Sequence, residues 1–487
     1  MARIDRLPEA SKTALQVASV IGREFSARLV ERVSVKDHEA VQALGELRSV
    51  ELIYQKAIFP ELAYMFKHAL THDVAYESLL RQRRKGLHER VGEVIEKIYA
   101  DRLPEFYETL AWHYEQGEIW PKAVDYHLRA ADQARARFAY PEAVDHCTEA
   151  INIVERYEGT IGALLRAHEN LGDLLSLIGQ VEAANQAFDR ALGIADTPAT
   201  RQRIANKYHR LGTTVRNGAR IAYYEHGSEE QTLLLMFPAL YSKTMWQPIV
   251  EVLCQEFRVI VVEPRGAGKS DPITETYFLR DHVEDARAVV EATGNRPVVF
   301  VGISAAGALA VHFAAAYPHL VDKLVLVGSR PTLQVEEVLQ IEIDPQEMRQ
   351  RKQRRQERRE NLLAGDHEQA IRSFLNFIYS EPGSRNLIEV LTQNAMEAQP
   401  KTIVDFLTVE DPDRELRPLL PMLQAPTLVL HGEMDCGVPV EAGRYLADHI
   451  AGAQFYLFKH RGHVPMFTAT SEFARVVRNF IRTGRPT

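Results

Sequence analysis

The sequence predicts a chain in two parts: an all-α region over about the first 205 residues, then an α/β region built on a parallel sheet covered by helices. Three observations carry this. Up to about residue 205, Ala, Leu, Glu and Arg dominate and apolar residues recur at helical spacing between short Gly or Pro interruptions. From about residue 213, short β-branched runs alternate with helical stretches, the pattern of strands joined by crossover helices. The composition, 46% hydrophobic and 25% charged over 487 residues, is globular and supplies ample core for more than one domain.

The same composition excludes several classes. A net charge of −8 argues against a general nucleic-acid binder, so no nucleic-acid partner is expected. Three cysteines far apart (Cys147, Cys254, Cys436) exclude a disulfide framework and a Cys-based zinc module. No apolar run approaches the ~18 residues that span a bilayer, and the first residues lack the apolar core of a secretion signal. A cytoplasmic setting is the expectation.

Within the helical part, Trp120–Asp132, Tyr140–Ile151 and Val181–Leu192 form a weak repeat. They share small residues at Ala123, Ala143 and Ala184, and again near Ala130, Ala150 and Ala191. Small residues so spaced let paired helices approach closely, as in a tetratricopeptide-like solenoid, although the unequal intervals also suit ordinary packed helices. His68 and His72 could present two imidazoles on one helix face, but a third ligand is missing and helix packing explains them better. Arg3–Phe25 and Tyr64–Glu96 resemble the segment that follows the nucleotide-binding module in large bacterial signalling ATPases, sometimes linked to adenylate cyclases. The resemblance spans about residues 1–200. It implies a helical, winged-helix-like domain over 1–100 and tetratricopeptide-like repeats over 101–205, and it carries no catalytic residue. With no ATPase expected ahead of this segment, ATP-driven switching is not inherited. A protein partner or self-association through the repeats is the expected role.

The α/β part is expected over 206–487. Asn217-Gly218 between two extended runs reads as a hairpin turn. Strands follow at Thr232–Phe237, Arg258–Val262, Val298–Gly302, Lys323–Val327, Thr427–Leu430 and Gln454–Phe458. Glu263–Ser270 ends like a phosphate-binding loop, but Glu263 stands where that loop needs its first glycine, so nucleotide binding is not expected.

The sharpest chemical signal is Val298-Val-Phe-Val-Gly302-Ile-Ser304-Ala-Ala306-Gly307, an apolar strand running into Gly-x-Ser-x-Ala and then a small-residue helix. A serine at the tip of such a strained turn needs small residues two positions either side, and the helix N-terminus aims free N–H groups at a developing oxyanion. Serine also needs a base held by a carboxylate. Downstream, Ala425–Asp435 gives a strand ending in a carboxylate loop, and Gln454–His463 gives a strand and a Gly-His turn. The order Ser304, Asp435, His463 is the order of this strand–turn–helix arrangement, with room between for a lid and then one crossover helix. Glu433 and His460 compete, His460 from the strand side of its turn.

On these motifs residues 213–487 resemble the α/β-hydrolase superfamily, whose acid loop matches His431-Gly-Glu-Met-Asp435 with Asp435 in the catalytic position. Glu263–Pro272 resembles the loop after the family's fourth strand. The resemblance implies oxyanion donors at the N–H groups of Ala239 and Ala305. Phe237-Pro238 stands where many members have His-Gly, and Pro238 cannot donate. Residues 331–420 are expected to form a helical lid. Within it Met348–Glu360 is strongly basic, either a solvated face or an attractor of an anionic substrate or acidic partner. The expected function is an esterase-like serine hydrolase acting on a small acyl substrate through an acyl-enzyme, without metal or organic cofactor. The alternatives are acyl transfer or perhydrolysis on the same residues, or a signalling protein whose hydrolase-like domain senses a small ligand.

Overall fold

The structure is a computed structural model that describes residues 4, 6–34, 37–57, 61–157, 160–237, 246–341, 345–379, 381, 384–408 and 411–487, the side chains of 37, 38, 345, 347 and 348 excepted. The chain divides into two compact units: residues 1–136 with 141–168, and 137–140 with 169–487.

The first unit is mainly helical but holds a small antiparallel sheet. Strands β1 (Glu24–Ser26), β2 (Ile53–Ala57) and β3 (Ala63–Phe66) lie in the order β1-β3-β2. The Phe25 ring stacks on Tyr64 and meets Phe66 edge to face, which supplies a local core. His68 precedes helix Ala69–Glu77 as its N-cap residue, whereas His72 lies inside it, paired with Asp73 at 2.9 Å. The two imidazoles therefore do not share a helix face. Later helices run from Arg81–Ile98 to Tyr140–Tyr157, and Ala123, Ala130, Ala143 and Ala150 are all buried. His88 and His113 meet in the interior, Nδ1 to Nδ1 at 3.0 Å.

The second unit is a mostly parallel eight-stranded sheet with helices on both faces. Its strands are β4 (Arg210–Arg216), β5 (Ala219–His226), β6 (Thr232–Met236), β7 (Arg258–Val262), β8 (Val298–Ile303), β9 (Val321–Val327), β10 (Thr427–Gly432) and β11 (Gln454–Phe458). They lie in the order β11-β10-β9-β8-β6-β7-β5-β4, antiparallel only where β5 meets β4 and β7. The hairpin turn is where the sequence predicts it: Asn217 and Gly218 both take positive φ, as a two-residue turn matching strand twist requires. The central strands are apolar on both faces because both are covered. Alternation sends Leu233, Leu235, Val299 and Val301 to one core and Leu234, Met236 and Phe300 to the other.

Residues 169–207 pack with the sheet although their sequence is helical. Lys207 Nζ bonds Glu169 and Asp173 at 2.8 and 2.7 Å, and Ser176 bonds His209 at 2.7 Å. Between β9 and β10 lie helices Pro345–Leu363, His367–Ile378, Arg385–Ala395 and Pro400–Thr408, several of whose apolar residues join the same core as Leu233 and Val301. Glu263–Ser270 closes on itself: the Glu263 carboxylate accepts the Lys269 N–H at 2.7 Å and Ser270 Oγ donates to the Glu263 carbonyl at 2.6 Å. The Lys269 amide is thereby committed to the Glu263 carboxylate.

Candidate active site

Strand β8 delivers Ser304 at its end, and helix Ala305–Ala316 begins at the next residue. Ser304 adopts φ 52° and ψ −116°, a conformation an L-residue occupies only under constraint. The constraint is visible. Ser304 N donates to Val327 O at 2.8 Å, and Gly307 N donates back to Ser304 O at 3.0 Å. A Cβ on Gly302 would overlap the Ala306 carbonyl, and one on Gly307 would overlap Ser329, so the turn closes only around residues this small. From Val298 to Val311, Ser304 and Ala305 alone are half-buried. As the first residue of its helix, Ala305 has an N–H without an intrahelical acceptor.

The acid and the imidazole arrive from β10 and β11. Asp435 Oδ2 lies 2.7 Å from His463 Nδ1, with the two side chains 0% and 3% exposed. The other oxygen, Oδ1, accepts the N–H groups of Gly437 and Val438 at 2.8 and 2.9 Å. A second imidazole shares Oδ2, with His431 Nε2 at 3.3 Å and also 3.0 Å from Val438 O. Burial alone would raise the Asp435 pKa. The charge and hydrogen bond of His463 and the hydrogen bond from His431 more than reverse this and hold the carboxyl well below the usual aspartate range. An ionised Asp435 bonded to Nδ1–H leaves Nε2 of His463 as the basic nitrogen.

Asp435 and His463 are thus brought together, and Glu433 and His460 lie apart from them. His460 is 85% exposed and pairs with Glu433 at the surface, where Glu433 also accepts the His460 N–H. Ser304 joins the pair through the backbone: Val327 accepts its N–H, and the following residue, Gly328, lies so close to the His463 ring that a Cβ would sit 3.1 Å from Nδ1. Among the described residues no hydrogen bond joins Ser304 Oγ to His463. Ala239 lies outside the described residues; Phe237, two positions earlier, is buried at the end of β6.

Three residues that shape this site carry no role in the sequence reading. Gly328, at φ 53°, lets the His463 ring lie against β9. His431 shares the Asp435 carboxylate. Glu381, from the insertion, accepts the N–H of Gly462 and lies 3.3 Å from the Thr468 hydroxyl, anchoring the turn that carries His463. The position of His431, in the strand four residues before the acid, was the available signal for one of them.

Comparison with known proteins agrees with this architecture. The family model described as alpha/beta hydrolase fold matches residues 232–470. A pimeloyl-[acyl-carrier protein] methyl ester esterase of Vibrio atlanticus is 25% identical over 274 residues, covering 53% of this chain and 97% of that protein. The serine hydrolase BPHL of Mus musculus is 26% identical over 277 residues, covering 55% and 84%. A 2-hydroxy-6-oxononadienedioate/2-hydroxy-6-oxononatrienedioate hydrolase of Escherichia coli is 26% identical over 286 residues, covering 54% and 91%. A helical N-terminal region thus precedes a C-terminal part with the α/β-hydrolase fold, and the protein is an esterase-like hydrolase.

Proposed function

We propose that the chain cleaves an ester through a Ser304–His463–Asp435 triad and an acyl-enzyme. Ser304 Oγ attacks the acyl carbon while Nε2 of His463 takes its proton; Asp435 fixes the tautomer and stabilises the imidazolium. The N–H groups of Ala305 and Ala239 receive the oxyanion. Collapse expels the alcohol, which takes the proton from His463, and water activated by the same imidazole releases the acid. The observation that carries this reading is the buried 2.7 Å Asp435–His463 pair lying beside the strained turn of Ser304. An unformed Ser304–His463 hydrogen bond is compatible with it, since such contacts tighten on substrate binding. The relatives' activity on a methyl ester supports ester as the substrate class.

For the helical part our reading is partner docking or self-association, in line with its resemblance to signalling ATPases. Large apolar side chains stay exposed there, Leu70 at 72% and Leu80 at 79%. The catalytic reading is tested with p-nitrophenyl acetate. A burst of nitrophenol equal to the enzyme concentration is expected, absent in Ser304→Ala and slowed by about 10³-fold or more in His463→Ala. A wild-type rate retained by Ser304→Ala would refute it.

A further inference from the structure

Two helices of the first unit bring a set of metal-ligating groups together. Glu108 stands in the first turn of helix Tyr107–Gln116, and Glu142 in the first turn of helix Tyr140–Tyr157. His146 follows Glu142 by four residues, the spacing that puts both side chains on one helix face. A carboxylate oxygen of each glutamate and a ring nitrogen of His146 all lie within 4.8 Å of one another, and all three side chains reach solvent. Donors about 2.1 Å from a shared ion lie at most about 4.2 Å apart, so the set closes with a shift well under an ångström. Each carboxylate has two oxygens, so holding an ion leaves one for another contact. A cation there offsets the repulsion between the two carboxylates.

The imidazole is the informative member. Its Nδ1 lies 3.1 Å from Nδ1 of His127, on helix Trp120–Ala136. His127 is 7% exposed, and its Nε2 makes no hydrogen bond among the described residues, with the Glu115 carboxylate 3.5 Å away. A carboxylate on that side favours the His127 proton on Nε2, so His127 Nδ1 accepts and His146 Nδ1–H donates. His146 then keeps its lone pair on Nε2, with tautomer and ring orientation set by a buried partner. Ligating imidazoles are held in this way, one ring nitrogen for the metal and the other donating to an acceptor behind it. Burial and His127 also hold the His146 pKa below the ordinary imidazole value, so the ring is neutral at neutral pH, as a ligand must be. A solvated acidic patch needs none of this arrangement.

We propose that Glu108, Glu142 and His146 bind one zinc-class divalent ion, with water completing a four-coordinate shell and His127 orienting His146. The imidazole selects zinc over magnesium or calcium, which take oxygen ligands. The ion ties two helices that are separated in sequence by a third, so its effect falls on the stability of this unit. The site is independent of the serine chemistry and does not rest on it.

The test uses the full chain without an affinity tag, stripped with chelator, and zinc chloride as the probe. Calorimetry is expected to show one ion per chain, with magnesium chloride giving none. Glu108→Gln and His146→Gln should each weaken zinc binding by about tenfold or more. His127→Phe, which removes only the acceptor behind His146, should weaken it by about tenfold, and His127→Gln, which keeps an acceptor, should recover much of that loss. Cys436→Ser/His460→Gln, which removes an exposed thiol and an exposed imidazole of the second unit, should leave zinc binding unchanged. Hydrogen exchange gives a second readout: zinc should slow exchange in residues 107–116 and 140–157 together in the wild type, and in neither in Glu108→Gln. No zinc binding by folded wild type, equal binding of magnesium, or an affinity unmoved by Glu108→Gln and His146→Gln overturns the proposal. Binding lost only in Cys436→Ser/His460→Gln would put the ion on the second unit and overturn it as well. An affinity unmoved by His127→Phe would overturn the orienting role of His127.

Discussion

Asp435 has both oxygens occupied: two backbone N–H groups on Oδ1, and the imidazoles of His463 and His431 on Oδ2. Every contact favours the charged form, so the low pKa is also a statement about folding. Because the folded pKa lies below the unfolded one, the stabilisation is complete above about pH 4 and is lost as pH falls through that value toward the folded pKa. Asp435→Asn should therefore be less stable than wild type at neutral pH, with the gap closing in acid; denaturant titrations between pH 7 and 3 check this. Its kcat should fall by about 10⁴-fold, since an amide N–H facing Nδ1 selects the wrong tautomer. His431→Phe removes one hydrogen bond to a buried carboxylate and should cost about 1.5–3 kcal/mol. Chemical denaturation of the variant beside wild type measures it.

Two elements set the reacting geometry, and they differ in how plainly the sequence announces them. The elbow is local: Gly302, Ser304, Ala306 and Gly307 lie within six consecutive residues, and their smallness follows from closing one turn. The acid and imidazole are legible for a related reason, since each stands just past an apolar strand in a fixed chain order. Gly328 and Glu381 act only through tertiary contacts, one against a ring that arrives from β11 and the other on a turn far along the chain. No local pattern marks them. The small sheet β1-β3-β2 escaped notice because its strands are three to five residues long and set among strong helix signals. Gly328→Ala should press on His463, because its positive φ disfavours a side chain and a Cβ would come 3.1 Å from the ring, so that the ring must give by a few tenths of an ångström. We expect kcat to drop by about tenfold, since the shift is well short of the misplacement near 1 Å that costs about 10²-fold, in a protein whose far-ultraviolet circular dichroism is unchanged.

Across the whole molecule, charge and burial are distributed unequally. In the first unit burial pushes the His88 pKa down to about 4 and that of His113 to about 3, so the pair is neutral in the folded chain. Both folded values lie below the ordinary 6.5, so their contribution is complete above that pH and is lost as pH falls toward 4. Unfolding of the helical unit should ease progressively between pH 6.5 and 4.5, and His88→Gln/His113→Gln should flatten that slope; hydrogen exchange resolved to residues 81–116 follows it. Among the described residues no helix is long and apolar enough to cross a membrane.

One serine activated by one buried imidazole is the central proposal for this chain. Fluorophosphonate labelling followed by intact mass tests this directly, with wild type beside Ser304→Ala and His463→Ala. One adduct per wild-type chain, mapped to Ser304 and lost in both variants, is the predicted result. A folded wild type that takes no adduct, or one labelled equally without His463, would contradict it.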